Sequence, residues 1–272
     1  MRELGAYGLR VRGLDGAERW MQEQPSGAPM IDVQAIVAKP DRSPSRLDAE
    51  VADLALLGGG RLRARRGETA VRYALSALPD PAELLHPYLA PAAALRWQWA
   101  GREALHAGAV AIGDGAVLLF GVKESGKSTL LAWMAREARL EVMADDLAVI
   151  DRGQVLAGPR SIDLRGRLTA TADPEPAAVR GGERERVTLP VAPPSMPVIG
   201  SVLLEWGPRL AAAPVPAMAR VELLAAQRTY PPLAGDPSEL LNIASRPLFT
   251  VARPQLLDEL EATASVLLER FS

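Results

Sequence analysis

Residues 121–128 constrain this chain more than any other segment, because they fit the phosphate-binding loop pattern G-x-x-x-x-G-K-[S/T]. The apolar run at residues 116–120 is typical of a buried strand, and residues 129–139 alternate apolar and polar types at helical spacing. A loop between a strand and a helix directs backbone N–H groups and the positive end of the helix dipole at a phosphate. The sequence therefore predicts a nucleoside triphosphate site in an α/β protein.

The expected nucleotide-binding residues form one continuous stretch: Gly121, Val122, Lys123, Glu124, Ser125, Gly126, Lys127, Ser128 and Thr129. We expect the Lys127 ammonium group to reach the β- and γ-phosphates and the Ser128 hydroxyl to ligate Mg²⁺. Arginine supplies nearly all positive charge in this chain, and lysine occurs only at positions 39, 123 and 127. A lysine at the required position is therefore not explained by composition, and we predict ATP and Mg²⁺ as cofactors.

Two consecutive acids, Asp145 and Asp146, interrupt the apolar segment 141–150, which is predicted as one strand although aspartate is depleted in strands. The loop helix leads away from the phosphates by roughly 18 Å over twelve residues. Five extended residues then return by roughly 16 Å, so we expect Asp145 near the loop. A carboxylate there can bind Mg²⁺ through water or accept the proton of an attacking hydroxyl group. An acid pair in a turn is the alternative interpretation.

Three further side chains are candidates on weaker grounds. His106 precedes a predicted strand near residues 107–112, although a single histidine is more often structural than catalytic. Asp163 and Arg165 are two residues apart on a short predicted strand and therefore lie on one face of it. A surface ion pair explains that spacing equally well.

The chain is predicted to have two parts. Residues 1–80 contain short alternating segments separated by Gly and Pro, and we expect a small, mostly β, antiparallel module. Residues 81–272 are expected to form the phosphate-binding domain, beginning with a helix over residues 87–101 for which His86 is interpreted as a helix-start residue. Residues 169–186, rich in Pro, Gly and charge, are predicted to be a mobile loop. Further strands are expected at 154–157 and 198–206, and helices at 237–244 and 255–271.

Bulk composition excludes several classes of protein. A net charge of -2 and a pI near 5.9 give no basic surface for nucleic acid. The absence of cysteine removes disulfides, thiolate metal sites and cysteine nucleophiles. No apolar run is long enough to span a bilayer, and none follows the N-terminus as in a signal peptide. We therefore expect a cytoplasmic protein that binds neither nucleic acid nor membrane.

Four motifs together resemble the HPr kinase/phosphorylase superfamily, whose fold is related to that of phosphoenolpyruvate carboxykinase. In chain order they are Leu105-His106-Ala107-Gly108, the phosphate-binding loop, Ala144-Asp145-Asp146, and Asp163-Leu164-Arg165-Gly166, the last with Asp where the family has Glu. The segment His86-Pro87-Tyr88-Leu89-Ala90 is closer to short bacterial HPr-kinase-like proteins. Some of these are similar to kinases that phosphorylate a serine of lasso precursor peptides.

The resemblance implies a mixed-sheet α/β kinase core, a serine-bearing peptide or protein as acceptor, and self-assembly into a homo-oligomer as an open expectation. The implied catalytic residues are Asp145, His106, Lys127 and Arg165, and the implied Mg²⁺ ligands are Ser128, Asp146 and Asp163. Asp145 is expected to be the general base, with Asp146 as the alternative. The Arg-Pro-Gly-Arg-Asn segment of bifunctional members is absent, so phosphate-dependent dephosphorylation is not expected.

Three functions remain open from the sequence. The first is a serine kinase acting on a peptide, for which the C-terminal serine of a ribosomally made precursor is the expected target. The second is a small-molecule hydroxyl kinase, and the third is a nucleotide-binding regulatory module without turnover. Retention of Lys127, Ser128 and Asp145 argues against the third, since a module without turnover has no need of a base.

Replacing Lys127 tests the loop assignment. Lys127→Ala removes the point charge expected at the β- and γ-phosphates, so ATP binding should weaken and phosphoryl transfer should stop. Calorimetric titration with ATP measures the binding, and circular dichroism verifies the fold. Unchanged ATP affinity in a folded variant would contradict the assignment.

Overall fold

The computed structural model describes residues 3–56, 59–165, 175–179, 182–233 and 235–272. Within these ranges the chain forms two large β-sheets, a three-stranded sheet and six α-helices. The predicted mixed-sheet α/β class is therefore confirmed. Among the described residues, no helix combines the length and apolar character that crossing a membrane requires.

The first sheet occupies the N-terminal part of the chain and has eight strands among the described residues. They are β1 (Leu4–Ala6), β2 (Leu9–Arg12), β3 (Gln22–Glu23), β4 (Met30–Val37), β5 (Arg46–Leu47), β6 (Val51–Ala55), β7 (Arg61–Arg65) and β8 (Ala70–Leu75). Their order is β3-β1-β2-β4-β8-β7-β6-β5.

The predicted antiparallel pairing of this sheet is wrong in its centre. Strand β4 pairs parallel to β2 on one side and parallel to β8 on the other, whereas the outer pairs are antiparallel. Side-chain alternation indicates which residues of a strand face the core, but it carries no information about the direction of the neighbouring strand. The sheet is therefore mixed.

A helical region follows the first sheet and packs against it. It consists of α1 (Pro81–Glu83), a π-type turn (Leu84–Tyr88) and α2 (Leu89–Trp99), which confirms the helix expected over residues 87–101. The Tyr73 hydroxyl of β8 donates to the Tyr88 carbonyl over 2.5 Å, and Trp97 Nε1 of α2 donates to the Tyr7 carbonyl over 2.7 Å. One buried apolar cluster includes residues of both parts. The domain boundary near residue 80 stays a prediction, and close packing continues across it.

The remaining elements form the second part of the chain. The strands are β9 (Glu103–Leu105), β10 (Gly108–Ile112), β11 (Gly115–Phe120), β12 (Val142–Ala144), β13 (Ala148–Asp151), β14 (Gln154–Leu156), β15 (Ser161–Leu164), β16 (Glu175–Val179), β17 (Gly182–Thr188), β18 (Ser195–Trp206), β19 (Ala211–Pro214) and β20 (Leu248–Arg253). The helices are α3 (Lys127–Arg136), α4 (Ala217–Ala225), α5 (Pro237–Ser245) and α6 (Leu260–Phe271).

The second sheet places three parallel strands side by side. Its order is β12-β10-β11-β18-β14-β13-β9, and β20 pairs with β18 as well as with β19. Strand β11 is parallel to β18, and β18 is parallel to β20. The carboxyl ends of these strands, at Phe120, Trp206 and Arg253, therefore meet at one edge. Ligand sites of open α/β sheets lie at this kind of edge.

Both faces of β11 are buried. Val117 and Leu119 pack in the apolar cluster that contains α3 and α6, whereas Leu118 and Phe120 pack in the cluster that contains α4 and α5. A strand covered on both faces is expected to be a continuous apolar run, and this is the pattern that predicts β11 from the sequence.

The single strand predicted over residues 141–150 is two strands. Strand β12 pairs with β10, and β13 pairs with β9 and β14. The break falls at Asp146, whose φ of 64° is left-handed. Aspartate is one of the few residues that adopt this conformation readily, so the acid pair ends one strand and starts a new direction. The apolar residues on both sides concealed the break.

The mobile loop predicted over residues 169–186 is wrong where the structure describes it. Residues 175–179 and 182–188 form β16 and β17, and β17 pairs with β15 in the small sheet. The alternating charges of this segment belong to a strand. One of them, Arg186, is buried and pairs with Asp163 on the neighbouring strand. The rest of that segment, and Gly166 of the fourth motif, lie outside the described residues.

Trp97→Phe tests the contact between the first sheet and α2. The substitution keeps an aromatic ring but removes the Nε1 donor, so the buried Tyr7 carbonyl loses its indole partner. We expect a loss of about 1–3 kcal/mol in the free energy of unfolding. Urea denaturation of both proteins measures it, and equal midpoints and slopes would contradict the contact.

Candidate phosphate-binding active site

The loop after β11 requires glycine at two positions. Gly121 has a φ of 148°, and a Cβ there would lie 2.8 Å from the Leu204 carbonyl oxygen. Gly126 has a φ of 81°, and a Cβ there would lie 2.4 Å from Arg253 Nη2. Both glycines of the motif are thus required by conformation and by close approach. Helix α3 begins directly after them, at Lys127.

Lys127 and Ser128 are the first two residues of α3, and their side chains have different partners. Lys127 is buried, and its Nζ donates to the Gly121 carbonyl over 2.7 Å. Burial lowers the pKa of Lys127, although the charges of Asp146 and Asp145 act in the opposite direction. The Ser128 hydroxyl donates to Asp145 Oδ1 over 3.0 Å. The chain thus returns Asp145 to the loop, as the lengths of α3 and the following segment predict.

The acid pair divides into a buried and a more open carboxylate. Asp145 is 3% exposed, whereas Asp146 is partly exposed and lines the cavity over the loop. Burial, and then the charge of Asp146, raise the pKa of Asp145 well above its ordinary value. His106 is exposed, and its Nδ1 lies 3.0 Å from the carbonyl oxygen of Asp146. His106 therefore braces the turn between the acids and β13 and also faces the cavity.

A cavity of about 680 Å³ opens over the loop. Residues 123–129 of the predicted nucleotide-binding stretch line it, while Gly121 lies buried and Val122 is 75% exposed outside it. The opposite walls come from the π-type turn, the segment between β9 and β10, the turn after β12, the end of β15, the ends of β18 and β20, and the residues after β20. They contribute His86, His106, Asp146, Asp163, Arg165, Trp206, Arg253, Leu256 and Leu257.

Asp163 and Arg165 both line the cavity but have different partners. The Asp163 carboxylate accepts from Nε and Nη2 of Arg186, each over 2.7 Å, and both side chains are buried. Arg165 is half exposed and forms an ion pair with Glu124 of the loop. The roles of Asp163 as a metal ligand and of Arg165 in catalysis stay predictions. Each oxygen of Asp163 already accepts one hydrogen bond.

Sequence reasoning missed a guanidinium behind the loop. Arg253 at the end of β20 is buried, donates to the Ser125 carbonyl over 3.2 Å, and lies 4.5 Å over the Trp206 ring. Trp206 Nε1 in turn donates to the Glu124 carbonyl over 3.1 Å. This pair fixes the loop from outside the motif. The Arg253–Trp206 pair could have been found only from its position at the ends of two neighbouring parallel strands. That position was not recognised because β20 was not predicted.

Two further buried polar groups were missed, one in the helical region and one in the first hairpin. His86 is 3% exposed, and its Nδ1 has no hydrogen-bond partner among the described residues. Tyr7 is fully buried with its hydroxyl likewise unpartnered within the described chain, and burial followed by the charges of Asp146 and Asp145 raises its pKa. Both groups thus belong to the surroundings of the acid pair. A histidine before a proline and a tyrosine in a hairpin carry no local signal for this.

The described residues offer oxygen ligands for a cation. Ser128 Oγ lies beside Asp145, and Asp146 faces the same cavity, which suits the preference of Mg²⁺ for oxygen. Ligand atoms of His86, Asp145 and Asp146 all lie within 4.8 Å of one another. A divalent cation therefore fits the surroundings of the acid pair.

The fold and the loop define this chain as an α/β protein with a phosphate-binding loop at the carboxyl edge of three parallel strands. No protein-family profile and no curated protein matches it. Among solved structures, it is similar to the HPr(Ser) kinase/phosphatase from Coxiella burnetii, with 14% identity over 62% of this chain and 96% of that chain, and a TM-score of 0.31.

Two matched substitutions, at Asp145 and at Asp163, test how each buried carboxylate affects the stability of the protein without divalent cations. Because the folded-state pKa of Asp145 is raised, ionising it costs stability as pH rises above about 3.9, the ordinary aspartate value. Asp145→Asn should therefore raise the free energy of unfolding and the melting temperature at pH 7, and should have no such effect below about pH 3.9.

Asp163→Asn is the matched control of opposite sign. It breaks a buried ion pair with Arg186, so stability at pH 7 should fall by roughly 3 kcal/mol. Differential scanning calorimetry at both pH values measures the two effects. Destabilisation of both variants to the same extent at pH 7 would show that Asp145 is not an uncompensated buried acid.

Proposed function

We propose that this protein is an ATP- and divalent-cation-dependent kinase that phosphorylates a serine hydroxyl of a peptide or protein. One observation carries the proposal. Ser128, in the first turn of the loop helix, donates to the buried carboxylate of Asp145 over 3.0 Å beside a cavity lined by the loop. A phosphate-binding element and a candidate base thus meet at one point.

On the donor side, the chain supplies positive charge and fixed dipoles. The loop and the N-terminus of α3 offer backbone N–H groups to phosphate oxygens. The Lys127 ammonium group, which donates to the Gly121 carbonyl here, is the group that would exchange this partner for phosphate oxygens. Arg253 holds the loop carbonyl of Ser125 from behind, so the loop is positioned before ATP arrives. A bound divalent cation would supply further neutralisation of the phosphate charge.

On the acceptor side, Asp145 is the proposed general base. Its Oδ1 already accepts a hydroxyl hydrogen, that of Ser128, over 3.0 Å, so a proton-accepting oxygen is in place beside the loop. The serine hydroxyl gives its proton to Asp145 as its oxygen bonds to the γ-phosphorus, and the bond from that phosphorus to the β,γ-bridging oxygen breaks. Asp146 stays the alternative base, and His106 braces the turn that carries both acids.

The mouth of the cavity supports a peptide or protein acceptor. Leu256 and Leu257 line the cavity and are 60% and 53% exposed. These neighbouring apolar side chains offer a contact for a residue next to the acceptor serine, which a free metabolite lacks. The motif resemblance supports serine as the acceptor, and the finer proposal is the C-terminal serine of a lasso precursor peptide.

Mass spectrometry after incubation with Mg²⁺-ATP tests the proposal. The substrates are a precursor-type peptide ending in serine, the same peptide with that serine replaced by alanine, and small hydroxyl compounds. A phosphate increment on the serine peptide alone is expected. Transfer only to small compounds would indicate the small-molecule kinase, and ATP binding without any transfer would indicate the regulatory module.

The role of Asp145 has its own test. Asp145→Asn keeps an acceptor for the Ser128 hydroxyl but cannot take a proton, so ATP should bind while kcat falls by about 10²-fold or more. Single-turnover phosphorylation at saturating Mg²⁺-ATP measures this. Asp114→Asn, in the exposed hairpin turn between β10 and β11, is the matched control and should keep wild-type turnover. Normal turnover by Asp145→Asn with loss in Asp146→Asn would reverse the roles of the two acids.

A further inference from the structure

His86 is a buried histidine without an evident structural task. Its side chain is 3% exposed and its Nδ1 has no hydrogen-bond partner among the described residues. A buried imidazole nitrogen that lacks a partner loses its hydration without compensation. His86 nevertheless lines the cavity over the phosphate-binding loop. The position therefore calls for a partner that the described part of the chain does not provide.

The surroundings of His86 match those of a metal-ligating histidine. One ligand atom each of His86, Asp145 and Asp146 lies within 4.8 Å of the other two. The other ring nitrogen, Nε2, lies 3.9 Å from Asp163 Oδ2. Histidine ligands usually direct the nitrogen that does not bind the metal toward a carboxylate, which fixes the ring and raises its basicity.

The residues around Asp163 are themselves held in place. Arg186 binds both oxygens of Asp163 and also donates from Nη2 to the His86 carbonyl over 2.9 Å. One guanidinium thus fixes the backbone of His86 and the carboxylate facing its ring. On this geometry Asp163 is a positioning residue that acts through His86.

We propose that His86 and Asp146 hold a divalent cation beside Asp145, with Nδ1 of His86 as the nitrogen ligand, and that this site takes a first-row transition ion such as Mn²⁺ in preference to Mg²⁺. The donor set supports this preference. Mg²⁺ is bound almost entirely through oxygen, whereas imidazole is a good ligand for transition ions, and carboxylates suit Mn²⁺. The inference rests on the proposed function for what the cation does, but occupancy of the site does not require turnover.

Pulsed EPR on the protein with Mn²⁺ alone tests the nitrogen ligand directly. We expect one bound Mn²⁺ per chain and a ¹⁴N coupling of the imidazole type. The chain has 2 histidines, so His106→Ala is a matched control that leaves His86 as the sole source of an imidazole signal. The signal should persist in His106→Ala and vanish in His86→Ala.

A titration followed by the EPR signal of free Mn²⁺ gives the affinities. His86→Ala and Asp146→Asn should each weaken Mn²⁺ binding at least about tenfold, and His86→Ala should also reduce the excess of Mg²⁺ needed to displace Mn²⁺. If His86→Ala does not fold, the ¹⁴N coupling in wild type and His106→Ala decides. Absence of bound Mn²⁺, absence of ¹⁴N coupling in wild type, or its loss in His106→Ala would overturn the site.

The outcomes separate this inference from the proposed function. Histidine-dependent Mn²⁺ binding in a protein that phosphorylates no serine would support the cation site and contradict the kinase. Serine phosphorylation by a protein whose bound Mn²⁺ has only oxygen ligands would support the kinase and contradict the cation site.

Discussion

The hydrogen bond from Ser128 to Asp145 joins the two halves of the site, because it ties the first turn of α3 to the break between β12 and β13. That contact requires a carboxylate that is removed from water without a cation paired to it. Burial disfavours the charged form, and the neighbouring Asp146 adds to the effect. The unfavourable burial of this carboxylate occurs where a proton acceptor or a cation ligand is useful, and the packed strands around it maintain that burial.

A second buried carboxylate shows the contrast. The side chain of Asp163 is also largely buried, but two hydrogen bonds from Arg186 match its charge. This pair connects β15 to β17 and reaches the His86 carbonyl in the helical region. Asp163 is therefore neutralised by a bound guanidinium, whereas no cation is hydrogen-bonded to Asp145 among the described residues and the charge of Lys127 offsets its burial only in part. The two aspartates differ in the side chains that the fold places opposite them.

Sequence reasoning was sufficient where the determinants are local. The loop, its flanking strand and helix, and the return of Asp145 to the loop depend on spacing along 121–145 and were predicted correctly. It was insufficient where the determinants are tertiary. Which elements become neighbours determines the strand direction in the first sheet, the burial of Arg186, and the positions of Tyr7, His86 and Arg253 near the site. Local sequence periodicity does not report which elements pack together.

The hairpin between β1 and β2 places Tyr7 so that its carbonyl accepts from Trp97 while its ring fills the space over Gly158. The tyrosine is fully buried, and burial followed by the charges of Asp146 and Asp145 raises the pKa of its hydroxyl. The N-terminal sheet therefore contributes to the buried surroundings of the acid pair. Because burial is the largest cause of the raised pKa of Asp145, opening this part of the structure to water would move that pKa toward the ordinary aspartate value.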